Sequence, residues 1–286
     1  MSTKGDPSSD SVRQRRRNWA DIGPRLASAL VLIVLTAAAL YVGSYFFSGV
    51  VGVVYAGAYR EWESMVTRAP LGPAGMALVA LLALSGFVYP LAGALGTAGL
   101  VLVAMVVALF MGRALFGWRV AGLMLFGLLI AAVLAMRGET SDGIVAGLYL
   151  GIVVWMTDSA AFFTGRQIGG EKLAPDISPS KTWSGALGGL ALGTGAGLIV
   201  WLLATDSPWW VGLVLSAVIS ILGQLGDLGE SALKRHFRIK DSGDIIPGHG
   251  GLMDRLDSLT FGAILVLIVG GVHAGFGDVA QGLLYW

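Results

Sequence analysis

The stretch SALKRHFRIKDSGDIIPGHGGLMDRLDS, Ser231 to Ser258, sets the reading of the whole chain. It carries five Lys or Arg, four Asp and a Pro-Gly-His-Gly-Gly turn, with apolar segments long enough to cross a bilayer on both sides. A solvated loop between two membrane helices would account for the charge, but not for its spacing. If the helix runs on from the apolar segment that begins near Trp209, then Asp227, Ser231, Lys234 and Arg238 fall on one face, at i, i+4, i+7 and i+11. After Gly251 a second helix places Asp254, Asp257 and Ser258 together, at i, i+3 and i+4. Two carboxylate-bearing helix ends then converge across a turn containing Pro247, Gly248, Gly250 and Gly251, where glycine lets backbone approach a ligand closely. Carboxylates hold divalent cations, while Lys, Arg and backbone N–H groups hold phosphate oxygens. A polyphosphate with its metal ion is the ligand that this composition suits.

The rest of the chain supplies the membrane. It is 55% hydrophobic and only 13% charged, with 43 Gly and a mean hydropathy of +0.76. A soluble domain carries about a quarter charged residues, so the fold class is all-α: a polytopic integral membrane protein of about nine transmembrane helices with a polar, cytoplasmic-side active site. Absence of cysteine excludes disulfides and thiolate metal sites. Residues 1–22 read as a flexible basic cytoplasmic tail with Arg13, Arg15, Arg16 and Arg17, and residues 23–286 as a single transmembrane domain. Beside a membrane helix such a run orients the chain, so no nucleic acid is expected as a partner. The long apolar stretch and the lack of a clear cleavage site argue against a secretory signal.

Apolar segments fall roughly at 24–42, 44–60, 74–91, 95–112, 119–136, 143–165, 183–204, 209–230 and 258–275. Residues 26–59 as one helix would be about 51 Å long, too long for a hydrocarbon core of about 30 Å, and Gly43-Ser44 can break it. Residues 73–111 also exceed one span, with Pro90, Gly93 and Gly96 as the expected break. With nine spans and the N-terminus inside, every one of the 19 Lys and Arg except Arg137 lies on the cytoplasmic side. Trp residues at the span ends, Trp183, Trp209, Trp210 and Trp286 among them, form an aromatic belt. Gly and Ala over 185–197 point to close helix packing, not to a nucleotide loop. His236 and His273 read as interfacial.

The order S-x-L-K-R-x4-K-D-x-G-x2-I-P-x-H-G-G-L-x-D-R-L-D resembles the motif of the phosphatidate cytidylyltransferases, or CDP-diacylglycerol synthases. Ser231, Lys234, Arg235, Lys240, Asp241, Gly243, Pro247, His249, Gly250, Gly251, Asp254, Arg255 and Asp257 fill its positions. The loop Gly165–Gly185 is similar to a second family pattern, Ser-Pro-Lys-Lys-Thr-Trp-Glu-Gly, through Ser178, Pro179, Lys181, Thr182, Trp183 and Gly185. Ser180 and Ser184 depart from it, standing where Lys and Glu are usual. Asp158, inside the sixth span and followed by small and aromatic residues and Gly-Arg, also matches. An ionisable group at that depth faces a bundle interior or a wet cavity, and Glu230 would sit near the same site.

The resemblance implies transfer of a cytidylyl group from CTP to phosphatidate, releasing pyrophosphate, in phospholipid biosynthesis at the inner or plasma membrane. A lipid phosphate is already an anionic nucleophile, so no covalent enzyme intermediate is required; the obstacle is repulsion between anions. Asp227 and Asp254 are expected to hold Mg2+, with Asp257 and Asp241 auxiliary and a second cation left open. Lys181, Thr182, Lys234, Arg235, Lys240 and Arg255 are assigned to phosphates, with Gly250 and Gly251 in the turn. His249 orients or protonates the leaving pyrophosphate or only shapes its turn, Ser178 and Ser231 donate hydrogen bonds, and Asp158 lines the site. CTP, phosphatidate and membrane lipids are the expected partners, and the family suggests a homodimer. A CTP-dependent kinase of lipid alcohols and a transporter remain open; against the latter, the carboxylates cluster at one end of the bundle.

Overall fold

The computed structural model describes residues 31, 34–243 and 250–286. Helix α1 (34–42) is followed by α2 (Ser44–Thr67), and the break expected at Gly43-Ser44 is present, with φ of 66° and 44°. Arg137 fills it. Its Nε donates to the Leu40 carbonyl at 2.6 Å and its Nη2 to Tyr41 at 3.4 Å, satisfying carbonyls that a helix end leaves without partners. A Cβ at position 43 would lie 2.7 Å from Arg137 Nη2, so glycine is required there twice over. Arg137 is thus spent inside the protein, 5% exposed.

Helix α3 (Pro73–Phe110) opens with Pro at its first position and is broken at Gly93, φ 59° and ψ −157°. Thr97 Oγ1 donates to the Ser85 carbonyl at 2.9 Å. Twelve residues of straight helix would separate them by about 18 Å. The two halves are therefore folded back on each other, with the break on the middle of the three residues expected to make it.

A single 3₁₀ turn (Arg113–Leu115) leads into α4 (Phe116–Arg137), whose Leu123, Leu129, Ile130 and Ala132 are fully buried. Then come α5 (Ser141–Ile168), strands β1 (Lys172–Ala174) and β2 (Ser178–Thr182), α6 (Trp183–Ala204), α7 (Trp209–His236), α8 (Met253–Ala274) and the short α9 (Val279–Leu284). Six of the described helices are long and apolar enough to cross a membrane. Helix α2 is not among them, because Arg60, Glu61 and Glu63 continue it past the apolar segment expected to end at 60.

Two readings of the sequence are corrected. The stretch read as a loop over 165–185 carries a small antiparallel hairpin, β1 with β2, pairing Lys172 with Thr182 and Ala174 with Ser178, in a chain that is otherwise helical as expected. Helix α7 stops at His236, and Arg238 adopts φ 56°, so Arg238 does not extend the face of Asp227, Ser231 and Lys234. Helix α8 starts at Met253, in keeping with the helix read after Gly251, and its charged first turn precedes the apolar segment. Both histidines are packed against aromatics: His236 against Trp118 at 5.5 Å, and His273 stacked on Trp286 at 4.3 Å.

Packing is closest between α5 and α6. Gly185, Gly189, Gly193 and Gly197 recur every fourth residue and are all buried. A Cβ at Gly189 would come 2.8 Å from the Thr157 carbonyl, and one at Gly185 2.8 Å from that of Ala161. Hydrocarbon solvent gives apolar helices little reason to associate, so small residues that bring backbones together, and polar contacts between helices, do the joining. The polar contacts lie between α5 and α7, where Tyr149 Oη and Ser216 Oγ are 2.8 Å apart and Thr157 Oγ1 donates to Ser220 Oγ at 2.8 Å. Gly226 of α7 repeats the device against α8: its Cβ would lie 2.4 Å from the Asp257 carbonyl.

Two alanine substitutions in α6 separate packing from propensity. Gly189→Ala drives a methyl into backbone and should lower stability in detergent by about 1–3 kcal/mol. Gly195→Ala meets nothing within 4 Å and should stabilise the helix. Thermal unfolding of both variants followed by circular dichroism checks the opposite signs.

Candidate active site

All the charged elements meet at one end of the bundle. Helix α7 contributes its last three turns, α8 its first, α5 the region around Asp158, and β2 with the start of α6 closes one side. Helix α7 can bring charge to this point because it is amphipathic at its end, with Lys234, Arg235 and His236 in the last turn where they complement the helix dipole. Asp254 occupies the first turn of α8, where a carboxylate is favoured for the same reason.

Two ion pairs define the geometry. Lys234 Nζ lies 2.5 Å from Asp254 Oδ1, which joins α7 to α8 across the turn. Lys181 Nζ lies 2.6 Å from Asp227 Oδ2, which joins the β hairpin to α7. Asp254 Oδ2 also accepts from the backbone N–H groups of Gly251 at 3.1 Å and Ser242 at 3.3 Å, so that carboxylate is held at both oxygens. Gly250, φ 78°, takes the left-handed conformation that sets up this approach.

Behind the pairs the carboxylates are less well satisfied. Glu230 is buried with Oε1 3.4 Å from Lys234 Nζ, a contact short of hydrogen-bond geometry, and neither of its carboxylate oxygens accepts a hydrogen bond among the described residues. Ser258 Oγ donates to Asp158 Oδ1 at 3.2 Å and the Ser258 N–H to Asp257 Oδ1 at 2.7 Å, so one serine ties α5 to α8. Asp158 lies within the electrostatic reach of Asp257, Asp227 and Lys181. Five carboxylates thus share one end of the bundle with two lysines. Buried carboxylates in such company are costly without further positive charge.

The structure brings together Asp158, Lys181, Asp227, Glu230, Lys234, Gly251, Asp254, Asp257 and Ser258. Thr182 is occupied in a further way: its hydroxyl accepts from the Gly185 N–H at 3.2 Å and caps α6. Ser184, one of the two departures from the family pattern, bonds to Thr182 and to the Gly169 carbonyl, tying the hairpin to α5. Arg235 is exposed and reaches the Ile177 carbonyl at 3.3 Å, bracing α7 against the hairpin turn. Ser178 lies in β2, Ser231 half-buried on α7, Lys240 and Asp241 exposed beyond it, and Arg255 exposed on α8. His249, with Pro247 and Gly248, lies outside the described residues.

Among the described residues no three imidazoles or carboxylates stand close enough to hold a metal ion by themselves. Mg2+ asks for less than that: it keeps several waters and is bound through one or two carboxylates together with substrate phosphates. The orphaned buried oxygens of Glu230 and the excess of carboxylates over lysines fit a cation arriving with an anionic substrate.

Sequence reasoning missed the residues that support this site from α2. Glu61, 3% exposed, accepts from the N–H groups of Leu252 and Met253, both at 2.9 Å, and from Ser242 Oγ at 3.1 Å. Glu63 pairs with Arg119 at 2.8 Å, and Trp62 Nε1 donates to the Trp118 carbonyl at 2.9 Å. The available signal was Arg60-Glu61-Trp62-Glu63, a charged run at the end of an apolar segment. Taken as a span end, it gave no hint of buried partners about 190 residues away.

The chain has relatives among known proteins. The chain is similar to the phosphatidate cytidylyltransferase of Brucella suis biovar 1 (strain 1330), 36% identical over 260 residues, covering 89% of this chain and 95% of that protein. A shorter match, 45% identical over 127 residues, covers 44% of this chain and 47% of the phosphatidate cytidylyltransferase of Bacillus subtilis (strain 168). That of Staphylococcus haemolyticus (strain JCSC1435) is 47% identical over 122 residues, 42% of this chain and 47% of that protein. The model of the cytidylyltransferase family matches residues 24–273, nearly the whole membrane portion, and the chain belongs to that family.

Proposed function

We infer that the chain is a phosphatidate cytidylyltransferase of the cell membrane, converting CTP and phosphatidate to CDP-diacylglycerol and pyrophosphate. The observation that carries this reading is the convergence of Lys181, Lys234 and five carboxylates at the ends of membrane helices. Only there can a water-soluble nucleotide meet a lipid phosphate. The relatives' shared name agrees with it.

In the proposed reaction a phosphate oxygen of the lipid attacks the α-phosphorus of CTP in line. The bond from that phosphorus to the β-phosphate oxygen breaks, and pyrophosphate leaves with the electron pair. Lys181, Lys234, Arg235, Lys240 and Arg255 face phosphate oxygens and offset the repulsion between the two anions. Thr182 sets the start of α6 beside Lys181, while Ser178 and Ser231 donate hydrogen bonds. The backbone at Gly250 and Gly251 allows close approach of the nucleotide. Asp227 and Asp254 would hold Mg2+, with Asp257 and Asp241 auxiliary and Asp158 and Glu230 behind them. When bound, the ion supplies positive charge to the α-phosphate and the leaving group. His249 orients or protonates the pyrophosphate.

Residues 23–286 make up one domain of nine spans in this reading, with residues 1–22 as a cytoplasmic tail, and the same reading includes a homodimer. The folded-back α3 and the break at Gly43 support the span count. The placement of Arg137 at the bundle end opposite the site supports a cytoplasmic active site.

Purified protein given CTP, phosphatidate and Mg2+ should yield CDP-diacylglycerol and pyrophosphate by mass spectrometry, and nothing with diacylglycerol or a polyprenol. CDP as the nucleotide product, formed with a lipid alcohol, would instead identify a kinase.

Asp227→Asn and Asp254→Asn keep side-chain shape while removing the charge. Each should remain folded, lose turnover by about 10²-fold or more, and recover little with excess Mg2+. If Asp254 serves only as the partner of Lys234, the Asn variant will lose stability and keep near-normal turnover.

The natural lack of cysteine permits a clean topology test. Ser141 and Ser180 are both exposed. In sealed, right-side-out membranes a membrane-impermeant maleimide should label Ser141→Cys and leave Ser180→Cys untouched; the reverse pattern would invert the orientation.

A further inference from the structure

Glu61 lies two membrane helices away in sequence from any catalytic motif, yet its carboxylate takes three hydrogen bonds, as many as Asp254 does. Oε1 takes the Leu252 N–H at 2.9 Å; Oε2 takes the Met253 N–H at 2.9 Å and Ser242 Oγ at 3.1 Å. Leu252 and Met253 are the first residues of α8, whose own side chains provide no cap at that end. A helix start leaves several N–H groups without partners and carries partial positive charge. Glu61 supplies the missing cap from another helix.

The chain around the carboxylate is cut to admit it. A Cβ at Gly243 would lie 2.6 Å from Glu61 Oε1. One at Gly251 would lie 2.6 Å from Oε2 and collide with Ser242 Oγ. Both glycines have negative φ, so it is space and not backbone conformation that requires them. The residues that Glu61 fixes adjoin those that hold Asp254: Ser242 gives its hydroxyl to Glu61 and its N–H to Asp254 Oδ2, Gly251, which donates its N–H to the same oxygen, directly precedes Leu252, and Met253 precedes Asp254 in the helix. Asp254 in turn holds Lys234 at 2.5 Å.

We propose that Glu61 is the positioning residue of the active site, a buried carboxylate on α2 that clasps Ser242, Leu252 and Met253 and so sets where Asp254 and Lys234 meet the nucleotide. It touches neither substrate nor metal. Its neighbour Glu63 has a different task, pairing with Arg119 to hold α2 against α4. The catalytic half of this inference rests on the proposed cytidylyl transfer; the anchoring half does not.

The test compares the parent, Glu61→Gln and Glu63→Gln in lipid nanodiscs by hydrogen exchange and by steady-state kinetics. Glutamine keeps one acceptor oxygen and turns an amide donor toward groups that are themselves donors. In Glu61→Gln the amides over 250–255 should exchange about tenfold faster while those of α4 stay protected. Turnover should fall by about 10²-fold, with a smaller change in KM for CTP, because a group misplaced by about 1 Å costs the chemical step more than binding. Glu63→Gln should lose thermal stability and keep its turnover. If Glu61→Gln does not fold, Gly243→Ala replaces it, pressing a methyl on Oε1 and giving the same local loss of protection and turnover. Parental turnover in Glu61→Gln, or a fall in turnover matched by Glu63→Gln at equal loss of stability, overturns the positioning role. Unchanged exchange over 250–255 overturns the anchor. An inactive parent with the expected exchange pattern would leave the anchor standing and remove the proposed reaction instead.

Discussion

Lys234 and Asp254 face each other at 2.5 Å from the ends of two helices that run in opposite directions, and the rest of the site is arranged around that contact. An ion pair half-buried at a membrane surface is stable only where hydrogen bonds satisfy the remaining lone pairs. Asp254 meets this through the backbone N–H groups of Ser242 and Gly251, and Glu61 holds the Ser242 hydroxyl and the N–H groups of Leu252 and Met253 beside them. A chain of short polar contacts therefore runs from α2, through the start of α8, to the end of α7. Each link is local in space and remote in sequence.

The apolar part of the molecule serves the same end by bringing backbones close. Glycines spaced four apart let α6 lie on α5, which sets Lys181 beside Asp227. Gly226 lets α7 lie on the Asp257 carbonyl, within a turn of the residues that must converge. Without a hydrophobic drive between helices in lipid, contact distance is what remains to be selected. The polar cluster needs the helices at these separations, since its ion pairs lengthen and weaken with any outward shift.

Much of this was legible in the sequence, for identifiable reasons. The face shared by Asp227 and Lys234, the helix restarting after Gly251 and the breaks at Gly43 and Gly93 follow from helical period and from glycine's tolerance of positive φ. What was not legible depends on the third dimension. Arg238 fits the helical spacing, but the helix ends two residues earlier, a choice made by the packing of Phe237 and His236 on Trp118. The β hairpin is held by Ser184, which reads as a defect against the family pattern but bonds to both Thr182 and Gly169. Glu61 was hidden because its partners are backbone amides, which leave no residue-type signature at the other end.

In the proposed reaction the two ion pairs and the metal role of the same aspartates would be successive states of one charge balance. In the protein alone, Asp227 and Asp254 neutralise Lys181 and Lys234, which keeps four charges tolerable at the edge of a low-dielectric region. A nucleotide polyphosphate with its cation brings both partners at once. The aspartates can then exchange a lysine for the cation, and the lysines can exchange a carboxylate for phosphate oxygens, without any charge being left alone at an intermediate stage. Glu230 bears on the case, because its two buried oxygens accept no hydrogen bond among the described residues while Lys234, Asp254 and Asp257 all stand beside it. A site paired only to stabilise the bundle would have no use for such a carboxylate. A site that receives a cation together with a polyanion, as proposed, would gain a ligand from it when the cation arrives, while the paired lysines keep the protein folded until then.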